Sequence, residues 1–189
     1  MQRLTKQKLE SRLLLAELEG EYFEDLTLAK FDKSNISAIV LEDGTKVYDN
    51  LPYIGIVKKY TIEVTTPPKD NGSIALCDIE NKVIKLFRGR YEKSEKITLL
   101  HEMIHAYDHE LMKYPTWRDY VLIYLYNKIS RKLGRKRMRS ILTLESHPEF
   151  LVNQNHNLLF VLKSLDLDLI LRRKLGSVFA YGREKYFKN

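Results

Sequence analysis

Two of the chain's five histidines stand four residues apart with a glutamate between them, as His101-Glu102-Met103-Ile104-His105. On a helix, residues i and i+4 lie one above the other, with Cβ atoms about 5–6 Å apart. Two imidazoles so placed can share one zinc ion at about 2.0–2.1 Å each. Glu102 follows the first ring and can lean toward the open side of such an ion. There it can take a proton from a coordinated water, whose pKa zinc lowers to about 7, and return it to a leaving amine. The plain alternative is a pair of solvated histidines on an ordinary helix. Two histidines and a glutamate set among Leu99, Leu100, Met103 and Ile104 are costly to bury unless they hold something. The pattern therefore predicts a zinc-dependent peptide-hydrolysing site, with His101 and His105 as ligands and Glu102 as general base and acid.

A third ligand must come from elsewhere, and ESHPEFLVNQNHNLLF offers three candidates. His156 follows a polar cluster and Asn155, a good N-cap, so it would point from the first turn of a last helix. Glu149 precedes Asn153 by four, and it also fits a capping box opened by Ser146 with Pro148 in the first turn. His147 is the third. If one helix carried them, Glu149, Asn153 and His156 would share a face, since their spacings are four and three. His109 sits about 6 Å further along the axis than His105, too far to reach the same ion. Asp108 and His109 are instead candidates for orienting the ligands or for a network at the helix end.

The elements that must position these residues follow from periodicity. Residues 3–19 look helical, with Gly20 as a stop, within an N-terminal segment 1–20. A β-rich part covers 36–90. In it Asp43-Gly44 marks a hairpin, PYIGIVKKYTIEV is an extended run ended by Pro67-Pro68, and SIALCDI and KVIKLF flank a turn at Glu80-Asn81. A helical part covers 93–175. Ser94 caps a helix from about Glu95 to Met112, apolar on most sides and so central and buried. Pro115 opens a second helix that ends at Gly134, and a last helical region lies between Ser146 and about Leu171. Helix, then strands, then helices predicts a single α+β domain over 1–189, with a small mixed or antiparallel sheet packed on the helices.

Composition narrows the function classes. The lone Cys77 cannot form an internal disulfide, which suits a reducing compartment. No apolar run reaches the roughly 18 residues of a membrane span, and the start lacks the pattern of a signal peptide. An intracellular, cytoplasmic location is the expectation. The net charge of +7 permits an anionic partner. Its densest part is Lys128, Arg131, Lys132, Arg135, Lys136, Arg137 and Arg139, with no acid among them. One reading is a phosphate-binding patch for nucleic acid. The other is a solvated helix end whose cations sit well near a C-terminus. Tyr181 or Arg183 would either donate to an oxyanion or pack the tail.

The stretch TLLHEMIHAY resembles the SprT-like/Spartan metallopeptidases, which pair HExxH with a later His in H-G-x-x-F/W. His156 to Phe160 matches that motif except that Asn157 replaces the glycine, and the interval from His105 is much longer. HEMIHAYDHE, preceded by Gly72, Leu76-Cys77 and Asn81, is also similar to the mitochondrial metalloproteases of ATP-synthase assembly, whose third ligand is a glutamate. Weaker similarity extends to ImmA/IrrE-type and lethal-factor-type gluzincins. The resemblance covers residues 72–160 at most. It implies a zincin-like fold, one zinc ion, a protein or peptide substrate held on an edge strand, and, from the SprT-like side, work near DNA. It implies His156 as third ligand on the first comparison and Glu149 on the second. The competing class is a non-catalytic nucleic-acid- or protein-binding module, such as an assembly factor, on the same fold.

Overall fold

The computed structural model describes residues 6–29, 31, 53–69, 72–90, 95–145 and 156–179. The chain divides into two compact units, Met1–Thr61 and Ile62–Asn189. In the first, α1 (Lys6–Tyr22) leads into the short α2 (Glu24–Thr27). Leu15, Leu18, Tyr22, Phe23, Leu26, Ile54 and Ile56 are buried there. The glycine expected to stop the first helix lies inside it. Gly in a helix costs only about 1 kcal/mol, and the burial of Leu18 and Tyr22 outweighs that. The side chain of Glu19 is buried, and it accepts hydrogen bonds from Tyr53 Oη (2.6 Å) and from the Ile56 backbone N–H (2.9 Å). That tie holds residues 53–56 against α1 as a loop, where an extended run was expected.

The second unit holds a small mixed sheet made of β1 (Thr61–Thr65), whose first residue is the last of the first unit, β2 (Ala75–Asp78) and β3 (Val83–Phe87), in the order β1-β3-β2. The β2–β3 hairpin expected at residues 73–88 is antiparallel, with Cys77 opposite Ile84. Asp78 closes its turn. The carboxylate accepts from Lys85 Nζ (2.6 Å) and from the side chain and backbone N–H of Asn81 (3.0 Å each). The Lys85 bond and then the Asn81 bonds hold Asp78 well below the usual carboxylate range.

Four helices follow the sheet in this unit. They are α3 (Glu95–Leu111), α4 (Pro115–Leu133), α5 (Arg135–Glu145) and α6 (Leu158–Ile170). With α1 and α2 they make six helices among the described residues. The apolar residues of α3 are buried on most of its circumference, as periodicity implied, and α3 packs on β2, β3 and α6. Trp117, Val121, Leu125 and Ile129 form the buried stripe of α4, spaced by four, and α4 packs on α6. Every residue of α6 from Leu159 to Asp168 is buried. So two helices, α3 and α6, share the centre.

Gly134, at φ 84°, ends α4 as expected, and the basic residues beyond it form a further helix, α5. The last helix takes Asn157 as its N-cap, whose side chain accepts from the Phe160 N–H at 3.2 Å. His156 therefore stands just outside the helix, not in its first turn. Among the described residues, no helix is long and apolar enough to cross a membrane. The hairpin at Asp43-Gly44, Ser94, the Ser146–Glu149 segment with His147, Asn153, Asn155, and Tyr181 and Arg183 lie outside the described residues.

Candidate metal centre

Three imidazoles converge where α3 meets the start of α6. His101, His105 and His156 each offer a ring nitrogen, and these nitrogens all lie within 4.8 Å of one another. The His101–His105, His101–His156 and His105–His156 ring centroids are 5.2, 5.2 and 4.9 Å apart. The closest approach is His101 Nε2 to His156 Nε2, at 3.3 Å. Two nitrogens on one tetrahedral ion at about 2.05 Å are about 3.3 Å apart. A proton shared between the rings satisfies that distance too, so the direction of each ring is the stricter test.

His101 passes it. Its Nδ1 lies 2.8 Å from the Val178 carbonyl oxygen. A carbonyl only accepts, so Nδ1 carries the hydrogen and Nε2 keeps its lone pair toward the other two rings. Burial holds His101 down to about 4, against the opposing effect of the Val178 and Phe179 backbone. Burial, and then the neighbouring rings, press His105 down to about 2. Neutral rings with inward lone pairs are the form that binds a divalent metal. The group can hold a metal ion.

The surroundings fix the rings. Phe160 lies against all three, with centroids 4.8, 4.5 and 4.4 Å from His101, His105 and His156. Phe179 covers His156 from another side at 5.4 Å. Asp108, one turn beyond His105, accepts from the Asn157 side-chain amide and from Arg118 Nε (3.2 Å). It thus joins α3, α4 and the residue after His156. These bonds form a network at the end of α3, one of the two readings open for Asp108. His109 is no member of the cluster. It lines the adjoining cleft, and burial, followed by the cations Lys82 and Lys113, lowers its pKa.

Glu102 is buried beside the cluster and faces β2. Phe87 N–H donates to the Ile74 carbonyl, so the alternation of an antiparallel ladder turns the peptide groups of Ala75 and Cys77 away from β3. The Cys77 backbone hydrogen-bonds the Glu102 carboxyl. Burial pushes that carboxyl up to about 8 in spite of this bond. A cation nearby would draw it down again. A cleft of about 410 Å³ runs between Ser73–Ile79 and the face of α3 that carries His101, Glu102, His105 and His109. Among the described residues β2 is an end strand of the sheet, with Leu76 exposed beside the cleft.

The basic residues form a separate surface. Arg131, Lys132, Arg135, Lys136 and Arg139 are exposed on α4 and α5, while Arg137 is half-buried. Lys128 is turned inward, where its Nζ meets the buried Asp166 carboxylate at 2.7 Å. It belongs to the interior as much as to the patch. Its position within a basic run concealed that, because the partner lies on another helix.

Sequence reasoning missed the Val178 carbonyl and the residues that hold it. The one local signal was three charged side chains, Lys163, Asp166 and Asp168, in the otherwise apolar LLFVLKSLDLDLI. Comparison with protein-family models, with curated proteins and with solved structures gives no match.

Proposed function

We propose that the chain is a zinc-dependent metallopeptidase of zincin type, resembling the SprT-like family, that hydrolyses peptide bonds. The observation that carries this reading is the convergence of three imidazoles beside a buried glutamate at the wall of a strand-lined cleft. His101, His105 and His156 would hold the ion. Among the described residues the group has three members, whereas structural zinc sites are normally closed by four protein ligands. Zinc, when bound, supplies a Lewis acid that polarises a carbonyl and acidifies a water.

The remaining work falls to the chain's own groups. The outward peptide groups of β2 offer main-chain hydrogen bonds to an extended substrate, as in strand addition. Glu102, held by the Cys77 backbone, takes the proton of the attacking water on its carboxylate and delivers it to the leaving nitrogen. Phe160 and Phe179 keep water from the back of the rings. The exposed cations of α4 and α5 favour a second role, docking the enzyme on nucleic acid near its protein substrate.

The test is metal content together with cleavage of an unfolded protein substrate. Purified protein is expected to carry one zinc. Glu102→Gln should keep that zinc and lose about 10²–10⁴-fold in cleavage rate. A wild-type protein that binds no zinc, or a Glu102→Gln variant that cleaves as fast as wild type, overturns the reading. Retained zinc with no cleavage by wild type favours the binding module on the same fold.

A further inference from the structure

Asp168 lies near the C-terminal end of α6, on the buried side, with no exposed surface. It is neither a metal-ligand candidate nor a lining residue of the cleft. A buried carboxylate is costly unless it is well hydrogen-bonded, so its partners indicate what it is for. One oxygen accepts from the Gly176 N–H at 2.7 Å and the other from the Val178 N–H at 3.0 Å. The chain between folds back in a turn, with Gly176 at φ 90° and Ser177 N–H on the Lys174 carbonyl at 3.1 Å. Val178 is therefore gripped on both sides. Its N–H is bound by Asp168, and its carbonyl meets His101 Nδ1 at 2.8 Å.

We infer that Asp168 is a positioning residue for the metal centre, which clamps the 176–178 turn so that the Val178 carbonyl holds His101 in its Nδ1–H tautomer with Nε2 facing His105 and His156. The metal part of this inference rests on the reading of the preceding subsection, and the tautomer part does not. The chemistry needs a carboxylate. Both backbone groups are donors, and only an ionised carboxyl presents two acceptor oxygens at once. An asparagine would turn an NH₂ toward one of them. If the turn loosens, the Val178 carbonyl withdraws and the imidazole can place its hydrogen on Nε2, where it blocks the lone pair that a metal requires. Hydrogen-bond partners of this kind set the direction of a ligating histidine, and their loss typically costs about 10–100-fold in metal affinity.

The experiment uses the full chain stripped of metal, with zinc as the titrant against a competing chelator, and imidazole ¹⁵N shifts and couplings to report the tautomer. Wild type is expected to show His101 as the Nδ1–H form before any metal is added. Asp168→Asn should weaken zinc binding by about 10–100-fold and shift His101 toward the Nε2–H form. Val121→Ala, in the buried stripe of α4, serves as a destabilised control and should change zinc affinity less than about twofold. Asp168→Ala is the second variant and should weaken zinc binding at least as much as Asp168→Asn. Equal zinc affinity and an unchanged tautomer in Asp168→Asn overturn the inference. So does the same loss of zinc affinity in Val121→Ala. If neither Asp168 variant folds, the wild-type spectrum still decides, because a dominant Nε2–H form of His101 refutes the clamp. If wild type binds no zinc, the peptidase reading fails, while the tautomer comparison still judges the clamp.

Discussion

Along α6 two groups of polar side chains are buried within a few turns of each other. At the N-terminal end, His156 meets His101 and His105. Halfway down, Lys163 and Asp166 meet Lys128 of α4, with Lys163 Nζ 3.2 Å and Lys128 Nζ 2.7 Å from the Asp166 carboxylate. The second group contains its own counter-charge. Burial works to raise the pKa of Asp166, yet the two ammonium groups outweigh it and hold the carboxyl below its usual range. In the first group three partly buried ring nitrogens converge with no counter-charge among them, and a buried carboxyl lies alongside. What separates the two groups is that balance of charge. With an ion pair inside it, the second group joins helices. Without one, the first is a group that could hold a metal ion.

The comparison breaks most clearly by removing the charge that balances the second group. Asp166→Ala leaves the Lys163 ammonium buried beside an empty site and should destabilise the second unit by about 3–5 kcal/mol in urea unfolding. The double change Lys163→Met with Asp166→Leu should recover most of that loss, because no lone charge is left behind. A loss as large in the double variant would show that the ion pair contributes more than its own compensation.

The histidine group should respond in the opposite way, gaining from an added charge. Zinc at about 100 times its dissociation constant should stabilise wild type by about 2.7 kcal/mol in a thermal melt, and a chelator should reverse it. His156→Ala should abolish the shift. A His156→Ala variant that still binds zinc with full affinity would remove that residue from the site and return attention to Glu149 and His147.

A weaker effect is expected at the exposed cations. Replacing Arg131, Arg135 and Arg139 together by Gln should reduce the salt dependence of binding to a single-stranded DNA oligonucleotide, with the slope falling by about two. Cleavage of a protein substrate free of DNA should stay unchanged. The smallest effect is in acid. Because the folded-state pKa of Asp166 is depressed, its stabilisation is fully present above the unfolded value of about 3.9 and is lost as pH falls through the folded value. The stability gap between wild type and Asp166→Asn should therefore be constant near neutrality and shrink only below about pH 4.

Local relations were legible in the chain before any fold was known. His101, Glu102 and His105 are related by helix geometry, which one turn of sequence determines. Pro115 and Gly134 mark the ends of α4 because proline suits a helix start and glycine takes the positive φ beyond its end. The β2–β3 hairpin follows from alternation and from a turn that Asp78 closes. An α+β order of elements emerges from the same patterns. Gly20 was misleading because its modest local cost is overridden by packing.

Contacts between distant segments were decided by the tertiary structure. Ligand chemistry put His156 ahead of Glu149 and His147 without deciding among them, and spacing along a chain says nothing about proximity once several helices intervene. Folding carries His156 to the other two rings because Asn157 is held twice, by the Phe160 N–H and by Asp108 on α3. It also turns His101 by means of a carbonyl far along the chain, whose place depends on Asp168. A backbone oxygen has no residue type to read. Its direction is a property of the folded turn, which is why half of this site's geometry is written in groups that a sequence does not display.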